Sequence, residues 1–117
     1  MVKSITINGI PCQFKSSAAI PRIYRIRFGR DIFVDMDKLS KQVKKKKGSD
    51  LPIESLEMFE NIAYVMHKYG DSKQPDDINE WLDQFETFDI YEILPEILTM
   101  WKIENNQLSE SKKKAGR

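Results

Sequence analysis

Residues 53–70 read IESLEMFENIAYVMHKYG, and they carry the clearest helical pattern in this chain of 117 residues. Their apolar side chains recur every three or four positions, as on one face of an α-helix. That face consists of Ile53, Leu56, Phe59, Ile62, Ala63, Met66 and Tyr69. Pro52 suits the first helical turn, where no backbone N–H is needed, and Gly70 is expected to stop the helix. A helix of this kind needs other elements to cover its apolar face.

Two shorter helical patterns precede this segment. The first runs from Ala18 to Phe28, takes its N-cap from Ser16-Ser17 and is expected to end at Gly29. Its apolar positions are Ile20, Ile23, Tyr24 and Phe28.

The second pattern begins after Asp31, which can cap it, and is expected to end at the Lys44–Lys47 run, because cations complement the negative end of a helix dipole. Its apolar positions are Ile32, Met36, Leu39 and Val43. The residues 32–34 would also fit a short strand, so the start of this helix is open between the two interpretations.

The N-terminus has the pattern of a β-hairpin. The run Ser4–Ile7 alternates polar and apolar residues, and Asn8-Gly9 separates it from Ile10–Phe14. Asn-Gly favours the tight type I′ turn, because both residues tolerate positive φ. Pro11 cannot donate to a strand ladder, so it is expected on an edge.

Two further helix starts follow residue 70. Asp77 with Glu80, and Asp89 with Glu92, have the spacing of a capping box. The apolar positions behind them are Ile78, Trp81, Leu82 and Phe85 in the first helix, and Ile90, Ile93, Leu94, Ile97, Leu98 and Trp101 in the second. Pro95 lacks an N–H, so a kink or a restart is expected there.

The sequence therefore predicts an α+β fold that is mostly α, with an N-terminal β-hairpin followed by about five helices. Residues 1–104 are expected to form a single domain, and residues 105–117 a disordered basic tail. No stretch approaches the length of a membrane span, and the N-terminus lacks the apolar run of a signal peptide.

Charge is distributed unevenly along the chain, although the net charge is only +1. Residues 1–47 carry twelve Lys/Arg and three Asp/Glu, a balance of +9, whereas residues 48–107 carry three and fourteen, a balance of −11. Three interpretations are open. Halves of opposite charge can steer copies of one protein together head to tail, or the basic half can bind nucleic acid. Alternatively, the two halves face each other or are simply solvated within one fold.

Residues for catalysis are scarce. His67 is the only histidine and Cys12 the only cysteine, and we interpret them as a partly exposed helix residue and a small buried thiol. The carboxylates Asp76, Asp77 and Asp89 occupy helix-start positions, and no glycine lies in a phosphate-binding loop. We therefore expect no enzymatic activity, no cofactor and no metal site.

Two groups of residues are candidates for protein interaction. One is a basic cluster with Tyr24 and Phe28 among it, which would also be the surface of a nucleic-acid binder: Arg22, Arg25, Arg27 and Arg30. The other is an aromatic and acidic segment with two possible interpretations, a protein-binding groove rimmed by carboxylates or ordinary core packing. Its candidate residues are Trp81, Phe85, Phe88 and Trp101.

Three runs in order resemble the tail assembly chaperones of siphophages and prophages of Gram-positive bacteria. They are IYRIRFGRDI at residues 23–32, WLDQFE at residues 81–86 and DIYEILPEIL at residues 89–98. The resemblance extends from Ile5 to Trp101, and it includes the order of a short Asn-Gly hairpin, helices, a Trp-ended helix and a Lys-rich tail.

The resemblance implies a small non-catalytic protein that acts in the cytoplasm of the bacterial host and is absent from the mature virion. Such a chaperone binds the tape measure protein, keeps it soluble and helps to recruit tail tube subunits. Coating a long tape measure protein takes many copies side by side, and the opposite charges of residues 1–47 and 48–107 would favour head-to-tail contacts in a homo-oligomer, a ring or a helical array. No binding to nucleic acid or membrane is expected. Many members also have a longer form made by programmed ribosomal frameshifting, and the Lys112–Lys114 run is compatible with a slippery site.

Two alternatives remain at this stage. A small phage or host regulator would bind nucleic acid through the Arg22–Arg30 surface, and its affinity would fall steeply with added salt. A structural tail component would stay in the virion, where mass spectrometry of purified particles would find it.

Overall fold

The N-terminal hairpin forms as the sequence predicts. In the computed structural model, which describes residues 1–43, 51–86 and 89–101, strand β1 (Val2–Ile7) pairs with β2 (Ile10–Lys15) antiparallel, and Ile7 lies opposite Ile10. Asn8 and Gly9 have φ values of 49° and 82°, as a type I′ turn requires. The inner face buries Ile5, Ile7, Cys12 and Phe14. Pro11 lies opposite Thr6, one pair away from the turn, where its missing N–H leaves no ladder bond unmade.

Helix α1 (Ala19–Phe28) ends as predicted but begins differently. Gly29 adopts φ 67° and its N–H bonds to the carbonyl of Arg25, which is a left-handed helix ending. The N-cap is Ala18, with no side-chain bond, so the prediction that Ser16-Ser17 caps the helix is wrong. The backbone of Ser16 instead closes the open end of the hairpin, because its N–H donates to the carbonyl of Met1 at 2.8 Å.

Helix α2 (Ile32–Val43) confirms the helical interpretation of its first residues. The Oδ1 atom of Asp31 accepts bonds from the N–H groups of Phe33 and Val34, at 2.8 and 3.4 Å, and so caps the helix. The strand alternative for residues 32–34 is thereby excluded. Three of the four predicted apolar positions are buried, namely Ile32, Met36 and Leu39, and the side chain of the fourth lies outside the described part of the chain, as does the predicted helix end at residues 44–47.

Helix α3 (Ile53–Gly70) lies at the centre of the fold. It contacts the hairpin, α1, α2 and the C-terminal helices, so every residue from Ile62 to His67 is buried. The predicted single stripe holds in the middle but fails at both ends, since Ile53 and Tyr69 are 82% and 47% exposed. Gly70 is the last residue of the helix, and periodicity does not reveal why glycine is needed there: a Cβ would lie 2.4 Å from the backbone oxygen of Gln13 in β2.

The C-terminal part adds short helices over the same core. Helix α4 (Ile78–Leu82) starts at Asp77, whose carboxylate accepts the N–H of Glu80 at 3.2 Å. The segment Asp89–Ile93 is a 3₁₀ helix, and residues 94–101 continue as α-helix (α5), so the chain restarts next to Pro95 as expected. All six predicted apolar positions of this segment are buried: Ile90, Ile93, Leu94, Ile97, Leu98 and Trp101.

This architecture confirms the predicted fold class: an antiparallel hairpin followed by five α-helical segments in the described residues. No helix within 1–43, 51–86 and 89–101 is long and apolar enough to cross a membrane. The predicted disordered tail, residues 105–117, lies outside the described residues.

Candidate protein-binding groove

A concave surface runs along α3 where α4 and the 3₁₀ helix meet it. It consists of two adjoining hollows of about 260 and 310 Å³ that share Glu60 and Leu82. We call this surface the groove. Its apolar lining comes from four segments of the chain: Ile53, Leu56, Ile78, Leu82, Phe85, Ile90 and Tyr91. Such a shape and lining can receive an apolar ridge of a partner.

Among the residues that the structure describes, carboxylates line the groove and no cation does. Its four acidic residues are Glu57, Glu60, Asp83 and Glu86, and neither hollow is lined by Lys or Arg. One acid is held in place, because the Tyr91 hydroxyl donates a hydrogen bond to Glu60. Burial, together with the bond to Glu60, raises the pKa of Tyr91 to about 12. At neutral pH the groove is therefore an apolar floor with a negative rim.

The floor is positioned by an aromatic stack that begins with Trp81. This indole is fully buried and packs edge-on against Tyr64 and Phe85, with ring centroids 5.5 and 5.1 Å apart. Its Nε1–H donates to Nδ1 of His67 at 2.8 Å, which fixes α4 to α3. Because α4 has only five residues, this side chain rather than helix propensity holds Leu82 and Phe85 beside the groove.

Of the four aromatic candidates, the structure places one at the groove. Phe85 is half-buried and lines it. Trp81 and Trp101 are core residues, 0% and 3% exposed, and the Trp101 Nε1–H points at the sulfur of Met66 at 3.0 Å. Neither indole has surface available to a partner, so both are removed from the interface candidates. Phe88 lies outside the described residues.

The arginine cluster is divided between two roles. Arg27 donates to the Tyr64 hydroxyl and to the carbonyl of Asp76, and its guanidinium lies 4.8 Å from the Tyr64 ring centroid.

Arg30 forms a two-pronged pair with Asp35, with both N···O distances at 2.7 Å. Arg22 and Arg25 are exposed on the outer side of α1. Two of the four arginines are thus committed to holding the fold, and two remain as a basic surface.

His67 is more buried than predicted. It is 3% exposed, stacks on Phe14 at 5.0 Å and accepts the Trp81 bond, so the expectation of a partly exposed side chain is wrong. Burial lowers its pKa to about 4, against a smaller opposing effect of Asp71. Cys12 is buried as predicted, and burial raises the pKa of its thiol. Both side chains serve packing.

Sequence reasoning missed the acidic residues that α3 contributes. Glu57 and Glu60 lie three positions apart and so share a helix face, which flanks the predicted apolar stripe. It also missed Ile26, which does not belong to the apolar face of α1. This side chain is 70% exposed and follows Arg25 and precedes Arg27 in the sequence. Both signals are present in the helical spacing, but only the packing around α3 shows which faces stay open.

Comparison with protein-family models, with curated proteins and with solved structures found no match to this chain. Within the described residues, no group of three or more His, Cys, Asp or Glu side chains is arranged to hold a metal ion.

Proposed function

We propose that this protein is a non-catalytic tail assembly chaperone of a siphophage or prophage. It binds the tape measure protein and helps to recruit tail tube subunits during long-tail assembly. The proposal rests on the three sequence runs that resemble this family. The structural observation that supports it is the groove, whose described lining combines apolar side chains with four carboxylates and contains no Lys or Arg.

The groove suits a helical client. A long tape measure protein is expected to be rich in helices, and free copies would expose apolar stripes to water. Apolar side chains at i, i+3, i+4 and i+7 of such a stripe can enter a groove formed between helices. One hollow includes Ile53 and the other Tyr91, and Leu82 lines both, so apolar side chains continue from one hollow into the other.

Cellular details belong to the same proposal. The protein acts in the cytoplasm of the bacterial host, self-associates in a salt-sensitive way, and leaves the tail before the virion is complete. A longer frameshifted form accompanies it. No cofactor, nucleic acid or membrane takes part.

The test is co-expression with the tape measure protein from the same genome, followed by a tagged pull-down of the soluble fraction. The proposal expects a soluble complex. The variant Ile53→Asp should weaken it about tenfold or more, because burying an isoleucine contributes about 2 kcal/mol. Ile53 is 82% exposed, so this change leaves the fold intact. Val34→Asp, on exposed α2 surface outside the groove, is the matched control and should bind as the parent does.

Two outcomes count against the proposal. If the tape measure protein stays insoluble with this chain and also with its frameshifted form, the chaperone function is excluded. If Ile53→Asp and Val34→Asp bind equally well, the chaperone function stands and the groove is not the client site.

A further inference from the structure

The outer face of α1 complements the described lining of the groove in charge. Arg22, Arg25 and Ile26 are spaced by three and four positions, so they share one side of the helix, and all three are exposed. Ile26 is 70% exposed, an apolar side chain beside these two cations. The opposite side of α1 buries Ile20 and Tyr24 in the core, which directs the outer face away from its own molecule.

The groove offers the complement of this face on the same chain. Both of its hollows combine apolar side chains with carboxylates, among them Glu57 of α3 in one hollow and Glu86 beyond α4 in the other. We propose that the groove of one copy receives the outer face of α1 from a second copy, with Ile26 on the floor and the two arginines against the carboxylates. This contact rests on the self-association in the proposed function and specifies its two surfaces, and it requires no tape measure protein.

The contact is heterologous, because it joins two different surfaces. Each bound copy therefore keeps one unused α1 face or one unused groove, and further copies add head to tail until a ring closes or a chain grows. Much of the attraction is between exposed charges, which salt screens over about 8–10 Å near physiological ionic strength. A client helix in the groove and a neighbouring α1 exclude each other, so client binding should dissociate the assembly.

Charge reversal with rescue tests this arrangement by sedimentation velocity. One variant reverses the helix face, Arg22→Glu with Arg25→Glu, and the other reverses the groove, Glu57→Arg with Glu86→Arg. Each variant alone places like charges together and should sediment as a monomer. An equimolar mixture restores opposite charges at every contact, and it should assemble again at low salt.

The control reverses two carboxylates outside the groove, Glu92→Arg with Glu96→Arg, both exposed. It matches the groove variant in net charge and should assemble like the parent chain. The parent chain, at about 100 μM, should shift from oligomer to monomer when the salt concentration rises from about 20 mM to about 500 mM. At that protein concentration a Kd near 10 μM at low salt leaves most copies bound.

Three results would overturn the inference. The first is a parent chain that is monomeric at 100 μM and low salt. The second is assembly of either reversed variant alone. The third is a mixture that stays monomeric; if the groove variant then also loses the tape measure protein, the groove serves the client only. A monomeric parent chain would also remove the salt-sensitive self-association from the proposed function. Because these measurements use no client, their failure leaves the binding of the tape measure protein untouched, and the pull-down tests that binding separately.

Discussion

Trp81 donates its indole N–H to Nδ1 of His67 at 2.8 Å, and both side chains are buried. Burial gives this bond its importance, because neither group could find water if the other were missing. The bond also fixes the histidine as the neutral tautomer with its proton on Nε2, since Nδ1 must accept. One residue of α3 and one of α4 therefore hold the floor of the groove in a state that depends on protonation.

Lowering the pH should destabilise the protein through His67. The folded state keeps this side chain neutral down to a pKa of about 4, whereas the unfolded chain takes up a proton near 6.5. Between these values the unfolded state binds more protons, so the free energy of unfolding falls as the pH falls from 6.5 to 4 and is unaffected by this group outside that window. The difference of about 2.5 between the two pKa values corresponds to about 3 kcal/mol in total.

Urea unfolding followed by tryptophan fluorescence measures this dependence. His67 is the only histidine, so most of the slope between pH 5 and 6.5 is expected from it. The variant His67→Gln keeps an acceptor for the indole but cannot titrate, and its stability should change little over that interval. An equal slope in both proteins would mean that other groups cause the acid sensitivity.

The sequence predicts the elements of this fold better than their surroundings. Helical periodicity and the Asn-Gly turn depend on neighbours in the chain, and the hairpin, α1, α2 and α3 appear where those patterns lie. Burial depends on distant neighbours. The apolar stripe of α3 wrongly predicts that Ile53 is buried, since this residue extends past the elements that cover the helix. The stripe also omits Tyr64 and Val65, which are buried by elements on other sides of the helix.

The candidate site is likewise predictable only where it depends on residues close together in the chain. A carboxylate-rimmed groove near residues 81–101 is predictable from the excess of aromatic and acidic residues there. Its second wall is not, because Glu57 and Glu60 come from a helix more than 20 positions earlier in the chain. The pairing of Arg30 is unpredictable for a similar reason. Arg30 lies on the surface, 43% exposed, but the turn that brings it to Asp35, five residues away, is visible only in three dimensions.

Asp35 should be the most costly carboxylate to remove. It is 1% exposed and accepts bonds from the Tyr24 hydroxyl at 2.6 Å and from Arg30 at 2.7 Å. Burial alone would raise the pKa of Asp35, but these bonds outweigh it and hold the pKa below its usual value. Asp35→Ala leaves a buried hydroxyl without a partner, and a loss of about 2–4 kcal/mol is expected.

The control is Asp37→Ala, two residues away on the same helix. Asp37 forms an exposed pair with Lys41 at 3.1 Å, and exposed pairs of this kind contribute about 0.5 kcal/mol or less. Both free energies of unfolding can be measured by urea titration at pH 7. Similar losses in the two variants would show that the buried cluster contributes no more than a surface ion pair.

Gly70→Ala should disturb the contact between α3 and the hairpin. The added Cβ would lie 2.4 Å from the Gln13 oxygen, and a backbone atom cannot rotate out of the way. Overpacking of this kind costs about 1–3 kcal/mol, and we expect the upper end.

Gly9→Ala separates this effect from backbone strain. Gly9 has φ 82° but open space around it, so alanine there should cost only about 1 kcal/mol. Thermal unfolding compares the two variants directly. A smaller loss at position 70 than at position 9 would show that the strand moves aside at little cost.

The two roles within the arginine cluster give the last prediction. Arg27 reaches from α1 across to the start of α4, where its guanidinium donates to the Asp76 carbonyl at 2.5 Å and lies over the Tyr64 ring. Arg27→Ala removes both interactions, and we expect the free energy of unfolding to fall by about 1–2 kcal/mol. For a domain of this size, each kcal/mol lowers Tm by about 4–8 °C. Arg22→Ala, on the exposed face of the same helix, should change Tm by less than about 2 °C but should weaken self-association. The opposite assignment, a stable Arg27→Ala and a destabilised Arg22→Ala, would contradict the division of the cluster into a structural arginine and an interface arginine.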